Sequence, residues 1–286
     1  MSKPLVSIII PTYNRGHFLG ETLDSVIDQT YINWECILVD DGSSDYTEEL
    51  MEFYCKVDKR ISFSKRPEEK PKGASSCRNI GINLSKGDFI QFLDSDDLLR
   101  EGKLEKQVEL SAGDSVLMTC KWGGFKKKTD FTSRFKYEYH SYRDFRKGIN
   151  LLKTFGKRNE FFPLHVYLTP RKLIEQAGLW NEELTNNDDA EFFTRIILAA
   201  KRIKFTTETA VYYRYSGSDK LSSFTNEERV GSAVKSWELI EEHLMKFGME
   251  THVYVRNGKK IILNLLLDKY PHLINRYASF LKPRKS

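Results

Sequence analysis

The stretch FLDSDDLL, residues 92–99, sets three carboxylates, Asp94, Asp96 and Asp97, within four positions directly behind an apolar run. Two like charges about 4 Å apart repel by about 1 kcal/mol in water and about 4 kcal/mol at an effective dielectric of 20, so three of them at a partly buried strand end need a neutralising partner. Carboxylate oxygens are hard donors that suit Mg2+ or Mn2+, ions that keep coordination positions open for substrate phosphates. The Asp94/Asp96 spacing therefore reads as a metal–diphosphate site. The plainer reading is a cap for a helix starting near Leu98, although one acid is enough for a cap. A second acidic turn, DDGSSD at 40–45, would by itself be an ordinary turn. Beside the first, it places Asp40 where an acid can accept hydrogen bonds from a nucleoside.

Such acids need a scaffold that brings them to one place, and the first hundred residues supply a repeating rhythm of short β-branched run, turn and amphipathic helix. Strands are expected at 5–10, 34–40, 60–65 and 88–94, and helices after Phe18 (Phe18, Leu19, Leu23, Val26, Ile27), from near Asp45, and over 74–85. Alternation of this kind predicts an α/β fold with a mainly parallel sheet flanked by helices, and ligands beyond the carboxyl ends of its strands. PTYN (11–14), DDGSSD and DSDD (94–97) then share one edge. Beyond residue 115 the pattern loosens: strands are expected at 115–120, 165–169 and 203–213, a basic loop at 122–131, a helix at 188–200 and further helices over 226–268. The expected organisation is a domain over 1–220, with a nucleotide-binding half (1–100) and an acceptor half (101–220), followed by a helical C-terminal extension over 221–286.

With 286 residues, 40% hydrophobic and 13% aromatic, the chain has enough apolar material for a real core, which excludes wholesale disorder. The longest aliphatic run near the C-terminus, IILNLLL at 261–267, falls far short of the roughly 20 residues that span a bilayer. No charged-then-apolar leader is read at the N-terminus, so a soluble cytoplasmic protein is expected. Cys36, Cys55, Cys77 and Cys120 form no C-x-x-C pair and are expected as reduced core thiols. The net charge of +5 concentrates at 126–128 and 282–285. Those stretches are either solvated faces or contacts to phosphate-bearing substrates and anionic membrane, the basic C-terminal segment 274–286 being the candidate for peripheral association with the inner face. Nothing points to nucleic acid. His165 reads as a core or cleft-wall histidine, and Trp122 and Trp180 as core residues ahead of sugar-stacking platforms.

Five co-linear segments, VSIIIPTYNR (6–15), ILVDDGSSD (37–45), GASSCRNIGI (73–82), GDFIQFLDSDDLL (87–99) and DDAEFFTRI (188–196), resemble the glycosyltransferase family 2 enzymes of GT-A fold, over about residues 4–216. The resemblance implies an inverting, metal-dependent transfer of a sugar from a nucleotide-sugar donor, a UDP-sugar ahead of others, to a hydroxyl of a glycan or lipid-linked acceptor in surface polysaccharide synthesis. It implies that Thr12 and Tyr13 meet the base, that Asp40 and Asp41 lie on the nucleoside side, and that Asp94, Ser95 and Asp96 face the donor, with Asp94 and Asp96 holding Mn2+ or Mg2+. Arg78 and Asn79 match a nucleotide-side pair, Arg78 having ion pairing with one of the acids as its alternative. Asp189 matches the catalytic base, and Asp188 beside it reads as a helix cap. In this chain the usual Glu-Asp pair is Asp188-Asp189, and Ser216 stands where many relatives have a histidine, which turns attention to Arg214, Ser216 or Lys220 as phosphate contacts. The rival readings are a D-x-D phosphatase, a Rossmann-type nucleotide or cofactor enzyme, for which 11–18 lacks a glycine-rich loop, and a nucleotide-sugar-binding protein without turnover. A homodimer stays open.

Overall fold

The computed structural model describes residues 3–111, 113, 115–126, 138–215, 224–248 and 252–282. Its main sheet has the order β3-β2-β1-β4-β7, in which β1 (Val6–Thr12), β2 (Trp34–Asp40), β3 (Ile61–Lys65) and β4 (Phe89–Phe92) run parallel and β7 (Thr169–Pro170) pairs antiparallel to β4. Every residue of β1 is buried, as a strand covered on both faces requires, so it reads as a continuous apolar run. The crossovers are α1 (Gly16–Ile27), α2 (Thr47–Val57) and α3 (Ala74–Leu84). α1 buries Leu19, Leu23 and Val26 along one face. α3 packs on β1 and β2, so closely that a Cβ on Gly81 would come within 2.3 Å of Ile9 Cγ2.

A second sheet has the order β5-β8-β6, built from β5 (Leu98–Leu99), β6 (Val116–Phe125) and β8 (Arg202–Arg214). Residues 98–99 pair with Tyr212 and Val211, and the next helix, α4 (Lys103–Glu109), starts only at Lys103. The acids at 94–97 therefore cap no helix at Leu98. β6 is longer than its sequence suggests, continuing through Trp122-Gly123-Gly124-Phe125 where a loop is expected. Gly124 admits its neighbour: a Cβ there would come within 1.7 Å of the Tyr215 ring. The strand expected at 165–169 is a 3-10 turn at Leu164–Val166 followed by the short β7, since prolines at 163 and 170 cannot donate to a ladder.

Helices α5 (Gly148–Arg158), α6 (Arg171–Ala177) and α7 (Asp188–Ala199) precede β8, and α8 (Glu227–Met245), α9 (Val253–Lys269) and α10 (Ala278–Leu281) follow it. α8 packs on α7, and α9 on α5 and α8. All four cysteines are free thiols, three of them buried. Among the described residues no helix is long and apolar enough to cross a membrane.

Candidate active site

The carboxyl ends of β1, β2 and β4 form a common rim, and local hydrogen bonds shape each turn on it. After β2, Asp40 is used within its own turn: Oδ2 accepts the Gly42 N–H at 3.0 Å and the Ser43 N–H at 2.9 Å. Gly42 sits at φ 88°, the left-handed backbone that this turn needs. Asn14, also left-handed at φ 50°, ties the turn after β1 to the turn after β2. Its N–H donates to Ser43 Oγ at 2.8 Å, and its Oδ1 accepts the Ser44 N–H at 2.8 Å. Asp41 is buried and ion-paired with Arg66. Thr12 is buried with an Oγ1 that has no hydrogen-bond partner among the described residues, whereas Tyr13 is 43% exposed with Lys72 Nζ 4.3 Å from its ring centroid.

The turn after β4 carries the three acids in different settings. Asp94 and Asp96 are partly exposed, while Ser95 and Asp97 are buried. Asp97 faces inward: its Oδ1 accepts the Arg214 N–H at 2.7 Å, and its Oδ2 lies 3.2 Å from Nδ1 of the fully buried His165. Burial, helped by the Lys103 charge, pushes the His165 pKa down to about 3, so the imidazole is neutral. Asp97 thus holds the loop from beneath. Arg214 does the same from β8, donating from Nε to the Asp96 carbonyl at 2.6 Å and from Nη2 to Glu21 on α1 at 2.6 Å. Its guanidinium lies between Phe18 and Phe125, 4.6 and 4.3 Å from their ring centroids. Arg214 is therefore a buried mooring of the acidic loop and not the phosphate contact expected of it. Ser216 and Lys220 lie outside the described residues.

One side chain connects the rim to α7. Arg78, on α3 and 4% exposed at its side chain, donates from Nη2 to Asp94 Oδ1 at 2.8 Å and from Nη1 to Asp188 Oδ2 at 2.9 Å, its guanidinium 4.4 Å from the Trp180 ring centroid. Asp188 also accepts the Ser75 hydroxyl at 3.0 Å. The expected role of Asp188 as helix cap is corrected here: Asn187 occupies the N-cap position, and the Asp188 carboxylate is drawn to the buried guanidinium, which cannot remain charged without a counter-ion. Asp189, the next residue, has its pKa pushed up to about 6, by burial first and then by the Asp188 charge, against the opposing pull of Arg78. Asn79 spends its amide elsewhere, donating to the Trp180 carbonyl at 3.0 Å and to Glu182 at 2.8 Å and accepting the Trp180 N–H at 2.9 Å.

The structure thus brings Asp94, Asp188 and Asp189 together around Arg78, with Asp96 beside Asp94. It turns Asp41, Asn79 and Asp97 towards protein partners. Trp180 stacks on Phe192 with centroids 4.0 Å apart, and Trp122 is buried against Tyr139; both are core residues. Glu21, Arg66 and Ser75 are the participants that sequence reasoning missed, and no local signal marks them, because their partners lie 25 to 193 residues away. As for a divalent cation, Asp94 and Asp96 are hard, partly exposed donors at the rim, and no cluster of three or more His, Cys, Asp or Glu able to hold an ion occurs among the described residues. Two carboxylates fit an ion that takes its other ligands from phosphates and water.

Residues 7–177 match the family model described as "Glycosyl transferase family 2". The glycosyltransferase GlyG of Streptococcus pneumoniae serotype 4 is 30% identical over 231 residues, 77% of this chain and 74% of that protein. The putative teichuronic acid biosynthesis glycosyltransferase TuaG of Bacillus subtilis is 43% identical over 107 residues, 37% of this chain and 42% of that protein. The chain spans less than half the length of the first curated relatives it matches. Among solved structures, S. aureus TarS 1-349 in complex with UDP-GlcNAc superposes with a TM-score of 0.66 at 20% identity, covering 96% of this chain and 73% of that one. The fold is that of the GT-A neighbours.

Proposed function

Because the chain belongs to glycosyltransferase family 2, we propose that it is an inverting, metal-dependent glycosyltransferase that moves a sugar from a UDP-sugar to a hydroxyl of a glycan or lipid-linked acceptor in surface polysaccharide synthesis. The observation that carries this reading is the Arg78 bridge, which sets the rim acid Asp94 and the start of α7 in one frame. UDP is favoured by the ligand named for TarS, and the surface polymer by the description of TuaG.

In this proposal the nucleoside lies across the ends of β1 and β2, with the base on the exposed ring of Tyr13 and the Asp40 turn beside it. Asp94 and Asp96 hold Mn2+ or Mg2+, which when bound neutralises charge developing on the departing diphosphate. Asp189 accepts the proton of the acceptor hydroxyl. With a pKa near 6 it is ionised at neutral pH yet basic enough to take that proton. The acceptor oxygen–C1 bond forms as the C1–phosphate oxygen bond breaks, and attack from the face opposite the leaving group inverts the anomeric carbon. Arg78 and Ser75 orient Asp188 and so fix the first turn of α7 from which Asp189 projects. Residues 1–100 then serve the donor, 101–220 the acceptor, and the helices of 221–286 an acceptor or partner surface.

Calorimetry with UDP, with and without Mn2+, followed by hydrolysis of a panel of nucleotide sugars, tests this. The expected result is metal-dependent UDP binding and turnover of a UDP-sugar that Asp189→Asn abolishes while UDP still binds. Metal-dependent binding with no turnover of any donor and any acceptor would leave a nucleotide-sugar-binding protein, and binding of none would defeat the proposal.

A further inference from the structure

At the end of β8 remote from the rim, the chain carries a second charged site. Residues 143–146 lie along the start of β8, Phe145 and Ile203 exchanging backbone hydrogen bonds of 2.9 and 2.8 Å, and α5 begins directly afterwards. Between them open two adjoining recesses of about 380 and 530 Å3 that share Asp144, Phe145 and Arg146. On α5, Asn150, Lys153, Thr154 and Lys157 line the first recess, a spacing of three and four residues that puts them on one helix face. Arg143 and Arg146 complete it, and Arg202 and Lys204 line the second.

Of the six cations, only Lys204 pairs with an acid among the described residues. Asp144 takes its ammonium at 2.7 Å and the Phe205 N–H at 2.9 Å, contacts that hold its carboxyl below the usual range against the opposing effect of burial. Arg143, Arg146, Lys153, Lys157 and Arg202 are exposed and form no ion pair with a described residue. Five uncompensated cations on three adjoining segments repel one another and set up a positive local potential that an anion relieves. No exposed large hydrophobic residue lines either recess, so the complementary ligand is charged and not acyl or aromatic. The cations are spread over α5, the 143–146 segment and the start of β8, which suits an array of phosphates better than a single ion.

We propose that this basic recess docks the chain on the phosphate groups of anionic phospholipid headgroups. Val116 pairs with Arg202 and Phe125 with Arg214, so the ten residues of β6 separate the recess from the mooring of the acidic loop by roughly 30 Å. Docking there leaves the donor rim uncovered. The inference does not rest on the transferase reading, because membrane binding is measured without donor or turnover.

The test is cosedimentation of the full chain with vesicles of phosphatidylcholine alone and of phosphatidylcholine with phosphatidylglycerol, for the wild type and for Lys153→Gln/Lys157→Gln/Arg202→Gln. Each Lys or Arg near an anionic surface is worth about fivefold in partitioning, so the triple variant should lose roughly a hundredfold. The expected result is wild-type binding to the anionic vesicles only, weakened by salt and lost in the triple variant, whose thermal unfolding midpoint stays that of the wild type. Undiminished binding by the triple variant overturns the proposal, as does loss of binding only on neutralising Lys282, Arg284 and Lys285. Calorimetric binding of inorganic phosphate or soluble polyphosphate by a wild type that ignores vesicles overturns it too, because the phosphate source is then soluble.

Discussion

Replacing Arg78 by Met keeps an unbranched apolar stem, removes the guanidinium, and leaves Asp94 and Asp188 facing each other with Asp189 alongside. Removing one partner of a buried ion pair costs about 3–5 kcal/mol. Here the arginine side chain is 4% exposed but the carboxylates are 34% and 21% exposed, so water compensates in part and a cost of about 2–3 kcal/mol is expected. At about 2–4 °C per kcal/mol for a chain of this size, Tm should fall by roughly 5–10 °C. There is a second signature. The Arg78 charge lowers the Asp189 pKa, so its loss should move the acidic limb of the kcat–pH profile upward from about 6. Arg78→Lys restores one charge without the two-pronged geometry, and should recover the pH limb while leaving kcat low. Differential scanning calorimetry and a kcat–pH series on the three proteins provide the measurements. An unchanged Tm and pH limb, with the whole effect in donor KM, would refute the reasoning and make Arg78 a donor-phosphate contact instead.

Asp189→Asn should lower kcat by about 10²-fold or more with UDP affinity kept, measured by steady-state kinetics and calorimetry. The same residue sets a pH prediction: a base with a pKa near 6 is lost by protonation, so kcat should fall about tenfold per unit as pH drops below 6. For stability the sign is opposite to that of an ordinary paired acid. A raised carboxyl pKa means that the folded state binds its proton more tightly, so Asp189 destabilises the fold increasingly as pH rises from the ordinary value of 3.8 and fully above about 6, and Asp189→Asn should raise Tm at neutral pH. Asp96→Asn should abolish the Mn2+ dependence of UDP binding in calorimetry, Asp96 being a partly exposed rim acid. Gly81→Ala should destabilise by about 1–3 kcal/mol in denaturant titration, since the new methyl would meet Ile9 Cγ2 at 2.3 Å.

The first hundred residues were legible because their central strands are buried on both faces. Ile8, Ile9 and Ile10 have no exposed surface, and such strands leave uninterrupted apolar runs whose ends can be read directly. The acids following β4 stood out for the same reason. Beyond residue 115 that contrast disappears. Gly123 and Gly124 resemble a loop in one dimension and are strand in three, where the bare face of Gly124 accommodates Tyr215. Asp188 reads as a cap along the chain because it opens a helical segment, while the guanidinium that claims it comes from a residue 110 positions earlier. Arg214 is one of three phosphate-contact candidates because Ser216 stands where many relatives have a histidine, yet Glu21, 193 residues away, and the Asp96 carbonyl hold it inside.

The linear order of residues determined which chemistry is available: hard oxygen donors at Asp94 and Asp96, an acid pair at 188–189, and a parallel sheet whose geometry must collect strand ends on one edge. Tertiary structure alone decided how those groups are used. Asp94 and Asp188 are paired by the buried guanidinium of Arg78, Asp97 faces inward to Arg214 and His165, and Asp189 has its proton affinity raised by burial and the Asp188 charge. Desolvation and charge pairing are properties of neighbours in space, and a sequence lists only neighbours along the chain.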